Sequence, residues 1–192
     1  MSQPILRKVV YLDRDGTINH DSPDYIKNRS EFKFIPGSIE AIRLLTLSGF
    51  TSIVVTNQSA IARKFISPPE LDYIHAMMKD AVASGGGRIT DIFFCPHMPN
   101  DGCDCRKPSA GLLLQAQRKY NIDLSKSIMV GDSAKDIECA RNAGCGKAVL
   151  VKTGKDDEAE HILKKKQIVS DYTAKNLYDA AKWIIANSTL SC

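Results

Sequence analysis

Short apolar runs alternate with amphipathic stretches along the chain. Five of these runs are brief enough to be buried strands, and they cover residues 9–12, 51–55, 89–94, 127–130 and 148–151. Most of the intervening stretches have helical spacing and are bounded by the Pro, Ser and Gly residues typical of helix ends. A last strand near Ile168 and a helix over residues 177–185 complete the pattern.

This alternation predicts an α/β fold with one doubly wound parallel sheet. Strands that are separated by helices are joined by right-handed crossovers, which place helices on both faces of the sheet. Binding sites in such sheets lie at the carboxyl ends of the strands. Polar residues that directly follow a predicted strand are therefore the candidates for function.

Composition limits the classes of protein that this chain can be. It has 192 residues, of which 43% are hydrophobic and 25% charged, as expected for one globular domain over residues 1–192. The net charge of +4 is small and evenly spread, which argues against a nucleic-acid partner. No apolar stretch approaches the roughly 20 residues of a membrane helix, and residues 1–8 lack the apolar core of a signal peptide. We expect a cytoplasmic monomer without a membrane partner.

The most specific pattern is Asp13-Arg14-Asp15-Gly16-Thr17, which directly follows the first predicted strand. Two carboxylates two positions apart at a strand end can face the same crevice if the chain turns there, and Gly16 permits such a turn. The pair predicts a nucleophile beside an acid/base. The alternative is an ordinary polar turn, since Asp and Gly are common turn residues.

Three more polar elements follow predicted strands or lie just beyond one. They are Thr56-Asn57, Lys107 and the segment Gly131-Asp132-Ser133-Ala134-Lys135-Asp136. In order and context, the four elements resemble the motifs of the haloacid dehalogenase-like (HAD) phosphohydrolases. The resemblance covers residues 9–153 and implies the HAD-like version of the doubly wound sheet.

The resemblance also implies a mechanism. Asp13 would form an aspartyl-phosphate, and Asp15 would act as general acid and base, both roles for which carboxylates are competent. A Mg²⁺ ion would be held by Asp13, the backbone carbonyl of Asp15 and Asp132, with Asp136 in support. Lys107, the Thr56 hydroxyl and the Asn57 backbone amide would stabilise the phosphoryl group. The alternative for Lys107 is an exposed surface lysine.

A second specific pattern is a cluster of cysteines with one histidine. Cys95, His97, Cys103 and Cys105 make a Cys₃His set, which is the composition of a closed structural zinc site. Zinc would stabilise a loop that has few apolar residues. The alternative is a group of unrelated free thiols beside a surface histidine. The remaining cysteines, Cys139, Cys145 and Cys192, are expected to be free thiols.

The spacing of the motifs leaves no room for a cap domain over the site. This capless layout and the cysteine pattern resemble the heptose bisphosphate phosphatase family. The resemblance implies a small phosphorylated sugar as the partner and substrate contacts from Thr56, Asn57, Gln58, Ser59, Arg106 and Lys107. Ser133 and residues 21–24 depart from the family pattern at the rim of the site.

The substrate remains open at this point. Histidinol-phosphate phosphatases share the capless, zinc-loop layout and are the nearest alternative. A nucleic-acid 3′-phosphatase and a non-enzymatic zinc-stabilised binding module are more remote alternatives. If the substrate carries a second phosphate, the rim must supply cations, and Arg63, Lys64 and Arg106 are the candidates for that role.

Overall fold

Six parallel strands form one sheet in the computed structural model, which describes Leu6, residues 8–154 and residues 158–188. The strands are β1 (Val9–Leu12), β2 (Thr51–Asn57), β3 (Ile89–Cys95), β4 (Ile128–Gly131), β5 (Lys147–Val151) and β6 (Tyr172–Ala174). Their order across the sheet is β3-β2-β1-β4-β5-β6, with every neighbouring pair parallel.

Helices cover both faces of the sheet, so the predicted doubly wound α/β fold is confirmed. The helices are α1 (Ser38–Leu47), α2 (Pro68–Ser84), α3 (Gly111–Tyr120), α4 (Ala134–Ala143), α5 (Ala159–Lys165) and α6 (Leu177–Ser188). The first, second and sixth contribute to one hydrophobic core and the other three to a second core across the sheet.

The central strand β1 shows why its sequence has no polar position. Val10 and Leu12 pack into one core, and Val9 and Tyr11 pack into the other. All four side chains are completely buried. A strand covered on both faces needs a continuous apolar run, as the pattern of residues 9–12 indicated.

The strand order places a crevice at the carboxyl ends of β1 and β4. The chain builds the sheet outward from β1 through β2 to β3, then returns to the other side of β1 and continues through β4 and β5 to β6. The loops after β1 and β4 therefore diverge, which opens a crevice between them. The connections from β1 to β2 and from β2 to β3 each contain a single helix, in agreement with the capless layout.

The last strand differs from its prediction. Ile168 lies in the loop after α5, where its N–H donates to Leu163 O (2.9 Å), and β6 begins four residues later. The backbone N–H of Asp171 donates to Ala148 O (2.8 Å), and the Asp171 carboxylate accepts from Ala148 N (2.7 Å). This long-range pairing, which local pattern does not contain, sets where β6 starts.

Within the described ranges, no helix is long and apolar enough to cross a membrane. The prediction drawn from residues 1–8 falls mostly outside those ranges, as does Cys192. Cys139 and Cys145 are free and buried.

Candidate active site

Asp13 directly follows β1 and lies in the crevice. Its N–H donates to Val130 O on β4 (2.9 Å), and its carboxylate accepts from Arg14 N (2.7 Å). Lys107 Nζ lies 2.9 Å from Asp13 Oδ1. The first strand end is thus tied both to the neighbouring strand and to a distant lysine.

Lys107 is a buried lysine with every donor engaged. Its ammonium contacts Asp13 and Asp136 Oδ1 (2.6 Å), and donates to Val55 O (2.9 Å). Burial alone would lower the pKa of Lys107, but the two carboxylates outweigh it and raise that pKa. The Lys107 side chain is only 2% exposed and is a permanent positive charge at the bottom of the crevice. The alternative prediction, that Lys107 is an exposed surface lysine, is therefore wrong.

Asp13, Asp132 and Asp136 form a cluster that we call the carboxylate centre. One oxygen of each lies within 4.8 Å of the others. Burial raises the pKa of Asp13 to about 7, with repulsion from Asp136 adding to the effect. Burial together with repulsion from Asp13 raises the pKa of Asp132 to about 9. A single lysine therefore leaves negative charge uncompensated, and an all-oxygen donor set with that deficit fits a divalent cation such as Mg²⁺.

Two glycines allow the backbone to approach Asp132. A Cβ atom at Gly16, which has φ +78°, or at Gly154 would overlap the Asp132 carboxylate. The first is the glycine of the motif after β1, so its role includes close approach as well as the turn. Any larger residue at either position would displace Asp132 from the carboxylate centre.

The Asp15 carboxylate faces a separate set of donors. Arg14 donates to it from Nη2 (2.8 and 2.9 Å) and Nε (3.1 Å), and Asn19 Nδ2 (2.9 Å) and Gln58 Nε2 (2.8 Å) donate as well. Burial would raise the pKa of Asp15, but Arg14, helped by these amides, lowers it below its ordinary value. Asp15 is thus held as an oriented anion beside Asp13.

Behind Arg14 lies a histidine that the sequence did not point to. Arg14 is 1% exposed, and its Nη1 lies 3.4 Å from Nε2 of His75 on α2. Burial and the positive charge of Arg14 lower the pKa of His75 to about 3. His75 is therefore neutral and accepts a hydrogen bond from the guanidinium. Only the packing of α2 on the sheet brings the two side chains together.

The residues that end β2 connect the crevice to the Lys107 loop. Asn57 and Lys107 exchange two hydrogen bonds, from Asn57 Nδ2 to Lys107 O and from Lys107 N to Asn57 Oδ1, both 3.1 Å. Gln58 Nε2 donates to Thr56 Oγ1 (2.9 Å) as well as to Asp15. These side-chain amides join the end of β2 to the Lys107 loop and to Asp15. Within the described residues the Thr56 hydroxyl donates to no side chain, so its hydrogen is available to a ligand.

The crevice opens into a cleft of about 380 Å³. Its lining includes every predicted catalytic and substrate-contacting residue: Asp13, Asp15, Thr56, Asn57, Gln58, Ser59, Arg106 and Lys107. Tyr25, Ile26 and Lys135 also line it, although the sequence assigned no individual role to these three residues. Of the predicted rim cations, Arg63 stacks over the Tyr25 ring at 5.8 Å from the centroid and, like Lys64, is not part of the lining.

Residues 95–105, which we call the thiolate loop, bring the Cys₃His set together. The Sγ atom of Cys95 lies 3.6 Å from that of Cys103 and 3.0 Å from that of Cys105, and His97 Nδ1 lies 3.2 Å from Cys105 Sγ. Zinc–sulfur bonds of about 2.3 Å in a tetrahedron place sulfur atoms roughly 3.8 Å apart. The separations of Cys103 Sγ from Cys95 Sγ and from Cys105 Sγ, both 3.6 Å, are near that value, and the Cys95–Cys105 separation is shorter. The donor set fits zinc, with all four positions filled by protein.

The thiolate loop also contacts the cleft. Arg106 Nη1 donates to His97 O (3.0 Å), and Gln58 N donates to Cys95 O (2.7 Å). The loop therefore holds the residues that precede Lys107 against the end of β2.

Comparison with known proteins supports the pattern. A family model described as HAD-hydrolase-like matches residues 104–180. D-glycero-β-D-manno-heptose-1,7-bisphosphate 7-phosphatase of Pseudomonas aeruginosa is 51% identical over 149 residues, which are 78% of this chain and 83% of that protein. The chain belongs to this phosphatase family.

Two further family members match nearly the whole chain. The enzyme of the same name from Yersinia pestis is 40% identical over 92% of this chain and 95% of its own length. The crystal structure of D,D-heptose 1,7-bisphosphate phosphatase from B. bronchiseptica, complexed with magnesium and phosphate, superposes with a TM-score of 0.87. It is 37% identical and covers 94% of this chain and 99% of that chain. The chain is a HAD-like phosphatase, as its motifs predicted.

Proposed function

We propose that this phosphatase removes the 7-phosphate of D-glycero-D-manno-heptose 1,7-bisphosphate through an aspartyl-phosphate. The observation that carries the proposal is the carboxylate centre with Lys107 bridging Asp13 and Asp136 at the carboxyl end of β1. A nucleophile, a buried cation and a metal-binding oxygen set at one strand end make up the apparatus for phosphoryl transfer.

Asp13 is the nucleophile in this proposal. One of its carboxylate oxygens forms a bond to phosphorus while the bond from phosphorus to the sugar oxygen breaks. Lys107 offsets the charge of Asp13 and of the phosphoryl oxygens, and the Thr56 hydroxyl donates to one of those oxygens. Asp136 acts as a positioning residue, because its ion pair keeps the Lys107 ammonium beside Asp13.

Asp15 moves the protons. The charge of the bound phosphate raises the proton affinity of Asp15, which takes up a proton from solvent and then donates it to the departing sugar oxygen. The resulting carboxylate takes a proton from the water that attacks phosphorus. The bond between phosphorus and the Asp13 oxygen breaks, which regenerates the Asp13 carboxylate and releases inorganic phosphate. Arg14, Asn19 and Gln58 orient the Asp15 carboxylate for both transfers.

Metal ions serve two separate purposes in the proposal. Asp13, Asp132 and the backbone carbonyl of Asp15 would hold Mg²⁺, whose chemistry is to neutralise the carboxylates and the phosphoryl oxygens that meet there. Cys95, His97, Cys103 and Cys105 would hold a structural zinc ion that orders the loop before Lys107.

The cleft favours a small sugar bisphosphate over the alternatives. Two cations at its rim, Arg106 and Lys135, form no ion pair with any residue in the described ranges, so they are available to a second phosphate. Histidinol phosphate has no second phosphate and would not use them. The expectations of a monomer in the cytoplasm, without nucleic-acid or membrane partners, stay predictions.

A comparison of substrates tests the proposal. We would measure phosphate release with Mg²⁺ from heptose 1,7-bisphosphate, histidinol phosphate, fructose bisphosphate and a 3′-phosphorylated oligonucleotide. The expected result is the highest kcat/KM for the heptose bisphosphate, with phosphorus NMR showing that the 1-phosphate remains. A higher kcat/KM for histidinol phosphate would transfer the assignment to that alternative.

A further inference from the structure

The cleft contains four cationic side chains, and two of them are already committed. Its lining includes Arg14, Arg106, Lys107 and Lys135. Arg14 uses Nε, Nη1 and Nη2 on Asp15 and His75, and Lys107 has its donors on two carboxylates and a carbonyl. Both buried cations are thus paired with carboxylates of the protein.

Arg106 and Lys135 differ from that pair. Arg106 is half-buried, and its Nη1 donates to His97 O (3.0 Å). The other nitrogens of its guanidinium remain available to a ligand. Lys135 is exposed, and its side chain forms no ion pair or hydrogen bond with any part of the chain that the structure describes. An exposed lysine that lines an enzyme cleft without a protein partner is available to a ligand in that cleft.

The two cations line the same cleft and lie on segments that contact each other. Lys135 lies on the first turn of α4, one residue before Asp136. The segment that carries Arg106 packs against the same helix, because Asn142 Nδ2 donates to Pro108 O (2.9 Å) and Cys139 Sγ donates to Ser109 O (3.2 Å). Lys107 joins the two elements at their base through its ion pair with Asp136.

Ser133, the neighbour of Asp132 at the start of α4, has its polar groups occupied. The Ser133 hydroxyl and N–H both donate to Asp136 Oδ2, at 2.8 and 3.0 Å. Ser133 therefore uses its hydrogen-bond donors to cap α4 and offers no charge to the rim. Among the residues that follow β4 and line the cleft, Lys135 is the one with a positive charge.

We propose that Lys135 is a specificity-determining residue that, with Arg106, binds the phosphate of the substrate that is not hydrolysed. The inference rests on the proposed function, since only a bisphosphate presents such a group. An arginine fork and a lysine point charge on adjacent elements suit a phosphate dianion, with the fork setting its orientation. Lys135 contributes to binding and leaves the chemical step to the carboxylate centre.

The test compares Lys135→Ala with wild type on two substrates. We expect Lys135→Ala to raise KM for heptose 1,7-bisphosphate about tenfold, the effect of losing one charge-assisted contact. The KM for heptose 7-phosphate should change by no more than about twofold, and kcat for the bisphosphate should stay the same, because the lost contact is made equally in the ground and transition states. Lys135→Arg should restore most of the affinity for the bisphosphate.

The matched control is Lys126→Ala, which removes the same charge at the opposite end of β4. Lys126 is exposed and lies in the short 3₁₀ turn before the strand, away from the cleft lining. Both KM values should be those of wild type. An equal rise in the KM for the bisphosphate would show that net charge alone sets affinity, and it would overturn the role of Lys135.

Product inhibition gives a second readout. Heptose 1-phosphate keeps the distal phosphate, so its inhibition constant should rise about tenfold in Lys135→Ala. The inhibition constant of inorganic phosphate should not change, because that ion occupies the carboxylate centre. Equal effects on both inhibitors would place Lys135 at the reacting phosphate and overturn the inference.

The outcomes separate this inference from the proposed function. If wild type releases the 7-phosphate of the bisphosphate but Lys135→Ala leaves every constant unchanged, the inference falls and the proposed function stands. If wild type does not act on the bisphosphate, both fall together.

Discussion

The carboxylate centre and the thiolate loop are both groups of metal-binding side chains, yet the chain builds them in opposite ways. The carboxylates come from the ends of two completely buried strands and from α4, so the sheet holds them in place regardless of their charge. The thiolate loop takes four side chains from residues 95–105, where only Cys95 belongs to a strand. The packed sheet places the carboxylates, whereas the residues of the thiolate loop depend on their own four ligands for order.

The difference predicts opposite effects on stability. Because the folded pKa values of Asp13 and Asp132 are raised, stability falls as the pH rises from the unfolded pKa near 4 to those folded values, and the full cost of the ionised carboxylates remains at higher pH. The packing of β1, β4 and α4 keeps the carboxylates in place despite this cost. In the thiolate loop, metal binding contributes folding free energy directly. Removing a carboxylate from the carboxylate centre should therefore leave the free energy of unfolding unchanged or raise it. Removing a thiolate from the thiolate loop should lower it.

The largest expected effect comes from removing the charge of Asp13. Asp13→Asn keeps the shape of the side chain but loses the attacking oxygen anion, so kcat should fall by at least about 10⁴-fold. At pH 8 without divalent cations, the urea midpoint should equal or exceed that of wild type, because a destabilising charge is gone. Phosphate release and urea unfolding measure the two effects.

A lower urea midpoint for Asp13→Asn would contradict the claim that the ionised Asp13 carboxylate destabilises the folded protein. Asp104→Ser serves as the control for both assays, since Asp104 is exposed and lies outside the cleft lining.

Next in size is the loss of one thiolate. Cys103→Ser should abolish stoichiometric zinc and lower the free energy of unfolding by about 3–5 kcal/mol, since structural metal sites stabilise the folded state. Elemental analysis and urea unfolding would show both. Asp104→Ser, between two ligands in the same loop, should keep its zinc. Wild-type protein that contains no zinc when purified without chelator would contradict the assignment.

A smaller effect tests the contact between the two regions. Arg106→Ala should lower kcat/KM for the heptose bisphosphate by roughly ten- to a hundredfold, with a much smaller loss for the 7-monophosphate. Arg106→Lys keeps the charge but loses the planar fork that reaches His97 O. An equal loss on both substrates would mean that Arg106 acts on the reacting phosphate or on the loop itself.

The smallest effect concerns His75 behind the carboxylate centre. Its pKa of about 3 lies below the unfolded value of 6.5, so the unfolded chain binds a proton that the folded chain does not. Stability is fully present above pH 6.5 and is lost as the pH falls toward 3. Between pH 6.5 and 5 the loss should be about 1.5 kcal/mol by urea unfolding, and His75→Gln should lack this component. A His75→Gln profile parallel to wild type would contradict the buried neutral imidazole.

Sequence alone determined five of the strands, their parallel doubly wound arrangement and the places where chemistry had to lie. The apolar runs predicted β1 to β5 to within two residues, because burial on both faces leaves a continuous hydrophobic pattern in a strand. The carboxyl-end rule then placed Asp13, Thr56 and Asp132 at one edge. The Cys₃His spacing likewise predicted a cluster that the structure brings together within 4.8 Å.

Only the tertiary structure decided which charges are paired and which are free. Lys107 pairs with Asp13 and Asp136, Gln58 donates to Asp15, and Arg63 stacks on Tyr25. The Lys135 side chain at the rim has no partner among the residues that the structure describes. The start of β6 depends in the same way on the pairing of Asp171 with Ala148. The hydrophobic pattern of a sequence shows which residues are buried, because burial repeats regularly along a single helix or strand. The partner of a charged group comes from another element, and it is chosen only when the elements pack.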